Sequence, residues 1–392
     1  MGCQTSKNAQ EPAALAKPLF RRHKVGTLEV PNRFVVASTT RLRCGPDGVP
    51  NDMMVQYYAA RASAGIIITE SAGVSALGNC YPIGGAIYND AHAAGWKRVT
   101  DAVHAKGGRI YIQVYHAGRV AHPDQIGGQT PISSSPIAAD GEVHTQNGRQ
   151  RFVQPKEATV EDIKEVVQQF KKAAELAKKA GFDGIELQAG AGQLIDQFLR
   201  NSVNKRTDTY GGSVENRTRL LLEVVDQLIA VFSAGRVGVK VAPNSGYNDV
   251  SDSDPIGLFQ HVAKALNQKK IAFLEVAENF SFDATNAQLK ERFFADKQHK
   301  NIRAFLKPHF SGAYIANAGY DHEEGNRTIQ AGEADLISFG THYICNPDLV
   351  ERLKENKPLR SLANVKDQGK IWTAYFYAGT AEGYTDVSVY EA

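Results

Sequence analysis

Residues 160–189, "VEDIKEVVQQFKKAAELAKKAGFDGIELQA", decide the fold. Ile163, Val166, Val167, Phe170, Ala174, Leu176 and Ala177 recur at helical spacing. The run stops at Gly181, a residue suited to the left-handed turn that ends a helix. A short apolar strand, "FDGIELQA" (182–189), follows at once. The same alternation continues outward on both sides. Further strand candidates are "RFVVAST" (33–39), "GIIITES" (65–71), "RIYIQVYH" (109–116), "VGVKVAP" (237–243), "IAFLEVAE" (271–278), "SGAYIANA" (311–318) and "ADLISFGT" (334–341). Most are near-continuous apolar runs, as strands buried on both faces should be. "ENRTRLLLEVVDQLIAVF" and "PIGLFQHVAKALNQ" repeat the helical pattern. The last helix should follow Asn346-Pro347, with the proline in its first turn. Eight strand-then-helix units predict a single (β/α)8 TIM barrel in the α/β class. A doubly wound sheet shares the alternation, but no GxGxxG follows the first strand.

Two segments stand outside the repeat. "HKVGTLEVPNR" (23–33) reads as a hairpin ahead of the first strand, closing the barrel floor. Residues 121–160, rich in Gly, Pro and Ser, form a long insertion after the third strand and suggest a lid or capping subdomain. The expected organisation is a disordered tail over residues 1–17 and one barrel over 18–392.

Charge and composition remove several function classes. With 45 basic and 42 acidic residues the chain is too balanced for a nucleic-acid binder. No apolar run approaches the roughly 20 residues that a transmembrane helix needs. Cys3, Cys44, Cys80 and Cys345 lie far apart with no CxxC spacing, so neither a metal site nor a disulfide framework is expected, and a reducing compartment fits. The start, Met1-Gly2-Cys3-Gln4-Thr5-Ser6-Lys7, matches the N-myristoylation pattern at Gly2. Cys3 stands where a palmitoyl chain would add the second anchor that stable membrane attachment requires. The expectation is a protein on the cytoplasmic face of a membrane; the competing reading is a chance match in a polar tail.

Barrel enzymes bind ligands at the C-terminal ends of their strands. Here those ends offer Ser38-Thr39-Thr40, Ser71, Gln113 with His116, Gln188, Lys240, Glu278, Asn317 and Thr341. There is no carboxylate pair for glycoside hydrolysis and no HxH or HExxH for a metal. Cys44 and Cys80 have no obvious His and acid partners. Amides, hydroxyls and one lysine suit a planar, hydrogen-bonding cofactor. Plainer roles compete: Gln113 could satisfy neighbouring backbone groups, Thr40 could cap a loop, and His116 in "VYHAGR" suits ordering the loop after it. Lys240, near a barrel axis, needs an anionic partner or a route to solvent.

Longer stretches carry a family resemblance. "VPNDMMVQYYAARASAGIIITE", "GWKRVTDAVHAKGGRIYIQVYHAGRVAHP", "LIDQFLRNSVNKRTDTYGGSVENRTRLLLEVVD", "ADLISFG" with "NPDLVERL", and "FYAGTAEGYTD" are together highly specific. From about Pro18 to Asp386 the chain resembles the old yellow enzymes, FMN-containing NAD(P)H-dependent ene-reductases. In that family a hydride passes from NAD(P)H to the flavin and on to an α,β-unsaturated carbonyl. A His/Asn pair on the fourth strand holds the carbonyl oxygen, and a nearby Tyr protonates the α-carbon. The resemblance implies that Thr40 hydrogen-bonds the flavin ring near N5 and O4, and that Gln113 meets its pyrimidine edge. It implies that Thr39, Ser71 and Gly340 line the cofactor cleft and that Gly319 lies in the phosphate loop. Phe376 and Tyr377 would stand over the cofactor and substrate mouth, although alone they would read as core, and Tyr81 would be an entrance aromatic.

The departures from the family pattern gather in the site. In "ELQAGAGQLIDQF" (186–198), Gln188 replaces the His, Ala191 the Asn and Gln193 the Tyr. Lys240 replaces an Arg near flavin N1 and O2, Ala318 a phosphate-loop Gly, Thr341 the phosphate-binding Arg, and Ser38 a proline of the cofactor wall. The expected outcome is weak or absent FMN and lost ene-reductase chemistry, in a membrane-tethered binding or structural pseudoenzyme whose protein partner the sequence does not name. The alternative is an active FMN-dependent oxidoreductase using NAD(P)H, with altered specificity through Gln188 and Lys240 and with water or Tyr377 as acid. A different small ligand in the same cleft is a third reading.

Overall fold

The computed structural model describes residues 17–278, 302–365 and 379–390. A hairpin of β1 (His23–Val25) and β2 (Leu28–Val30) precedes the first barrel strand, β3 (Phe34–Val36). β4 (Ile66–Gly73) and β5 (Ile110–Tyr115) follow. The insertion holds β6 (Ile132–Ser133), β7 (Glu142–Thr145), β8 (Gly148–Arg151) and β9 (Lys156–Glu157). Then come β10 (Gly184–Gln188), β11 (Val237–Val241), β12 (Phe273–Ala277), β13 (Ala313–Asn317) and β14 (Leu336–Phe339). β3, β4, β5 and β10 to β14 close into one parallel barrel, each within its predicted run except β4, which continues two residues past 65–71 to Gly73. The chain is therefore a (β/α)8 barrel.

The main helices are α1 (Asp52–Ala59), α2 (Asp90–His104), α3 (Val160–Lys179), α4 (Leu194–Leu199), α5 (Val214–Phe232) and α6 (Pro255–Gln268). Later come α7 (Ile302–Leu306), α8 (His322–Gln330), α9 (Thr341–Cys345) and α10 (Leu349–Lys354). α3 begins in a capping box, where Thr159 and Asp162 satisfy each other's backbone N–H groups. It ends at Ala180, and Gly181 follows at φ +88°. One boundary corrects the sequence reading: α10 starts at Leu349 with Asp348 as its cap, so Pro347 precedes the helix instead of filling its first turn. Asn346 is the reason. Its side chain donates to His342 and Arg360 carbonyls (both 3.0 Å) and its own carbonyl accepts the Leu349 N–H, so a turn comes before the helix.

The hairpin closes the floor. Val25, Leu28 and Val30 pack with Val35, Ile66, Ile68, Tyr111, Phe273 and Leu336 in a buried cluster below the barrel. Tyr111 and Phe273 fill the axis with ring centroids 5.6 Å apart. A Cβ at Gly184 would stand 2.1 Å from Tyr111 and one at Gly238 2.1 Å from Phe273, so only glycine leaves room for the rings.

β4 carries a bulge. Ile68 pairs with Tyr111, yet Ser71, not Glu70, pairs with Gln113. The extra residue reverses which face each side chain meets. Ser71 turns inward beside Gln113, and Glu70 accepts the backbone N–H groups of Arg41 and Leu42 (3.1 Å each). The insertion sits after β5 as expected. Its work is bracing: Gln125 donates to the Cys80 carbonyl (2.9 Å), and Ser133 and Ser134 donate to Gln197 (3.0 and 2.8 Å). Among the described residues no helix is long and apolar enough to cross a membrane.

Candidate functional site

The C-terminal ends of the strands open into a cavity of about 490 Å³, within the range of small-molecule sites. The strand β3 end contributes Ser38, Thr39 and Thr40, β4 Ser71, β5 Gln113, β10 Gln188, and β11 Lys240. Ala191 and Gln193 come from the loop after β10, Ala318 and Gly319 from the loop after β13, and Gly340 and Thr341 from the end of β14. Tyr81 stands at the same wall. Gly2, Cys3, Phe376 and Tyr377 lie outside the described residues.

Gln113 is fully buried and held on both ends of its amide. Its Oε1 accepts the hydroxyls of Ser38 (2.8 Å) and Ser71, and its Nε2 donates to Glu186 Oε1 (2.6 Å). One Nε2 hydrogen remains for a ligand. His116 does not serve the cavity. Burial pushes its pKa down to about 4, so it is neutral, and its Nδ1 accepts the Gly118 N–H (3.0 Å). It orders the loop after β5.

A charged layer lies beneath the cavity floor. Lys240 Nζ is 2.8 Å from Glu275 Oε1, and both residues are buried. The two are register partners on β11 and β12, as Gln113 and Glu186 are on β5 and β10. Burial and then the charge of Glu275 raise the Glu186 pKa well above the carboxylate range, against Lys240 and Gln113. Burial opposes the Lys240 charge, but Glu275 and Glu186 outweigh it and raise its pKa. Glu186 and Glu275 each keep one oxygen, Oε2, with no donor from another group, and the two carboxyls are hydrogen-bonding neighbours. Glu186 is therefore the carboxyl that favours its protonated form, leaving Glu275 to match the charge of Lys240. The layer is then electrically neutral.

The loop after β10 is rigidly placed. Gln197 on α4 donates to the Ala117 and Gly192 carbonyls (2.9 and 2.8 Å) and accepts the Arg119 N–H (3.1 Å), tying this loop to the one after β5. Asp196 pairs with Arg200 at 2.7 Å, both fully buried, and also accepts the Gly192 N–H. Asn248 donates to the Ala191 carbonyl (2.8 Å). A Cβ at Gly192 would stand 2.6 Å from Asn248, which excludes any larger residue there. Ala191 adopts φ +58°, a region that strains most L residues. Gln188 Oε1 accepts the Gly190 N–H (3.2 Å), which leaves its NH2 as the free group. Gln193 caps α4 by position, yet its side chain makes no cap hydrogen bond.

These residues fit one part of FMN and not the other. Hydroxyls of Ser38 and Thr40, the Gln113 amide and Lys240 suit the edge of a flavin ring. Phosphate sites in barrels form at the loops after the last two strands. There, among the described residues, the cavity wall consists of Ala318, Gly319, Tyr320, Asp321, Gly340, Thr341 and His342. None of these is Lys or Arg, Asp321 is acidic, and burial holds the His342 pKa below its ordinary value. Ala318 occupies φ +79°, a strained position for any residue with a Cβ. The phosphate end does not fit.

Sequence reasoning passed over Tyr247, Tyr320, Asp321 and Ser338 of the wall, and Glu186 and Glu275 beneath it. The last two carried a signal: a carboxylate inside an apolar strand must find a partner. Among the described residues no group of three His, Cys, Asp or Glu is placed to hold a metal.

Residues 18–360 match the sequence model of the NADH:flavin oxidoreductase / NADH oxidase family. The chain is 35% identical to 12-oxophytodienoate reductase 1 of Oryza sativa subsp. japonica over 383 residues, 96% of this chain and 94% of that one. The structure of the old yellow enzyme homologue from Zymomonas mobilis superposes with a TM-score of 0.85 at 35% identity, covering 94% of this chain and 99% of that one. Morphinone reductase in complex with tetrahydroNAD gives 0.83 at 35% identity, covering 94% and 96%.

Proposed function

This chain belongs to the NADH:flavin oxidoreductase / NADH oxidase family, the old yellow enzymes, whose members depend on FMN and NAD(P)H, and from that premise we propose that it has lost ene-reductase chemistry and serves as a membrane-tethered binding protein. One observation carries the reading. The wall that should hold a carbonyl oxygen and deliver a proton presents the Gln188 NH2, an Ala191 methyl and the Gln193 amide. Gln188 supplies a donor, Ala191 supplies none, and Gln193 brings an amide with no titratable proton. The direct test is enone reduction with bound FMN.

Weak FMN binding is part of the same reading. A charge-assisted contact to phosphate is worth roughly 1.5–3 kcal/mol, or about 10- to 100-fold in affinity. Thr341→Arg with Ala318→Gly should therefore bind FMN about 10- to 100-fold more tightly than wild type, measured by quenching of flavin fluorescence. Wild type that purifies with near-stoichiometric FMN would overturn weak binding.

The tether is proposed from Gly2, Cys3 and Ser6. Two acyl chains anchor stably, whereas one leaves a large soluble pool. Gly2→Ala should move the protein from the membrane to the soluble fraction, and mass spectrometry should find both chains on the native N-terminus. An unmodified Gly2, or no change in fractionation, would end this proposal.

The alternative, an active oxidoreductase of altered specificity, draws support from the Gln188 donor. It draws less from Lys240, whose charge is already matched by Glu275 at 2.8 Å.

A further inference from the structure

The end of the barrel away from the cavity is basic. In a parallel barrel every loop that leads into a strand opens at one end, here the floor. These loops and the floor hairpin carry Arg22, Lys24, Lys106, Arg109 and Lys270, all exposed except the half-buried Arg109. The acids in the same loops are already engaged. Asp335 has Lys307 at 2.7 Å and Glu333 has Arg303 at 3.2 Å. Asp183 has His104 at 3.0 Å, and Arg236 donates to its main-chain carbonyl. Glu29 stands opposite Lys24 in the hairpin and offsets that charge. Arg22, Lys106 and Lys270, from three separate segments, remain as an exposed excess. The face is braced: Arg236 donates to Thr27 Oγ1 (2.7 Å) and the Thr27 N–H to the Gly235 carbonyl (3.1 Å), which fixes the hairpin tip against the loop before β11. The mouth end differs among the described residues, with Asp249, Asp254 and Asp321 in the loops after β11 and β13. The chain joins the barrel flank at Lys17, and residues 2–17, extended, reach up to about 50 Å. Either end is within that reach, so charge and not tail length selects the face. We infer that the floor is a docking surface for anionic phospholipid headgroups, which sets the barrel floor-down on the bilayer and turns the cavity mouth toward water. The inference rests on the acyl tether proposed above, because a few cations alone hold a bilayer weakly.

Each Lys or Arg held at an anionic surface strengthens binding about 5-fold. The test uses the full chain carrying Gly2→Ala, so that no acyl chain contributes. It is sedimented at low salt with vesicles of phosphatidylcholine containing about one-third phosphatidylserine, and with vesicles of phosphatidylcholine alone. Binding should require phosphatidylserine and should fall as salt shortens the screening length. Adding Arg22→Gln, Lys106→Gln and Lys270→Gln should weaken it about 100-fold, to the level of phosphatidylcholine. Adding Arg149→Gln, Arg151→Gln and Lys205→Gln removes the same charge from the mouth end and should leave binding unchanged. No binding to the phosphatidylserine vesicles, equal binding to both vesicles, or equal losses in the two triple variants overturns the inference. An unmodified Gly2 on the native chain would instead remove the tether and leave the vesicle result standing, so the two failures are separate.

Discussion

The combined variant Gln188→His, Ala191→Asn and Gln193→Tyr is expected to reduce cyclohexenone at least about 10²-fold faster than wild type when FMN is bound to both. Reduction of an enone moves negative charge onto its carbonyl oxygen. Removing one donor to such an oxygen typically costs about 10²–10³ in rate. Gln188 leaves one donor in place, but Ala191 supplies none. The α-carbon also requires a proton, and general-acid help is worth roughly 10²–10⁴. An amide at 193 has none to give. The factors do not multiply, since residues acting as a unit are not additive. The backbone accepts the change at 191: φ +58° lies where Asn is among the best-tolerated L residues. Single-turnover kinetics would decide, with both proteins carrying Thr341→Arg and bound flavin read from its absorbance. Wild type at a rate typical of the family, or no gain from the triple change, would show the chemistry was never lost.

The second large effect lies beneath the cavity, and two isosteric changes should part sharply. Glu275→Gln removes the partner of a buried Lys240. Breaking a buried pair costs about 3–5 kcal/mol. Glu186 can ionise in its place, so the low end, about 3 kcal/mol, is expected. Glu186→Gln should do the opposite. A Gln amide keeps the acceptor that Gln113 uses and, like the protonated carboxyl, puts no charge beside Glu275. The sign follows from linkage. Burial and Glu275 raise the Glu186 pKa, so the folded chain keeps this proton to higher pH than the unfolded chain. Wild-type stability is fully present below the ordinary carboxylate value and falls as pH rises toward the folded pKa, by about 1.4 kcal/mol per unit. Glu186→Gln has no such proton to lose and should gain on wild type across that window. Urea unfolding between pH 5 and pH 8 measures both. Equal losses in the two variants would mean that no proton is shared.

The strands could be read from sequence because a parallel barrel buries both faces of each, leaving runs such as "GIIITES" (65–71) with little ambiguity. The polar wall could be read for a related reason: once a strand end is placed, the side chain facing the mouth follows. Ser38, Gln113, Gln188 and Lys240 all came from that rule and meet in one cavity. What depended on pairing between strands was hidden. Lys240 meets Glu275 only because β11 and β12 adopt one register. Ser71 also came from the strand-end rule, but the bulge in β4 that turns it inward was hidden, since nothing local in "ITESAG" announces it. The role of the insertion was equally hidden, because its contacts to Cys80 and Gln197 join residues distant in sequence. Pro347 falls two residues short of the helix because Asn346, held by its side chain, closes a turn with its carbonyl first.

The left-handed backbone at Ala191 bears on reversibility. An alanine there carries a conformational strain of about 1–2 kcal/mol that asparagine largely escapes. Regained function usually comes at some loss of stability. At this position the two run in the same direction, because the residue that restores a donor is also the one the main chain accommodates best. If the donor was lost as proposed, selection for folding alone would favour the residue that supplies it.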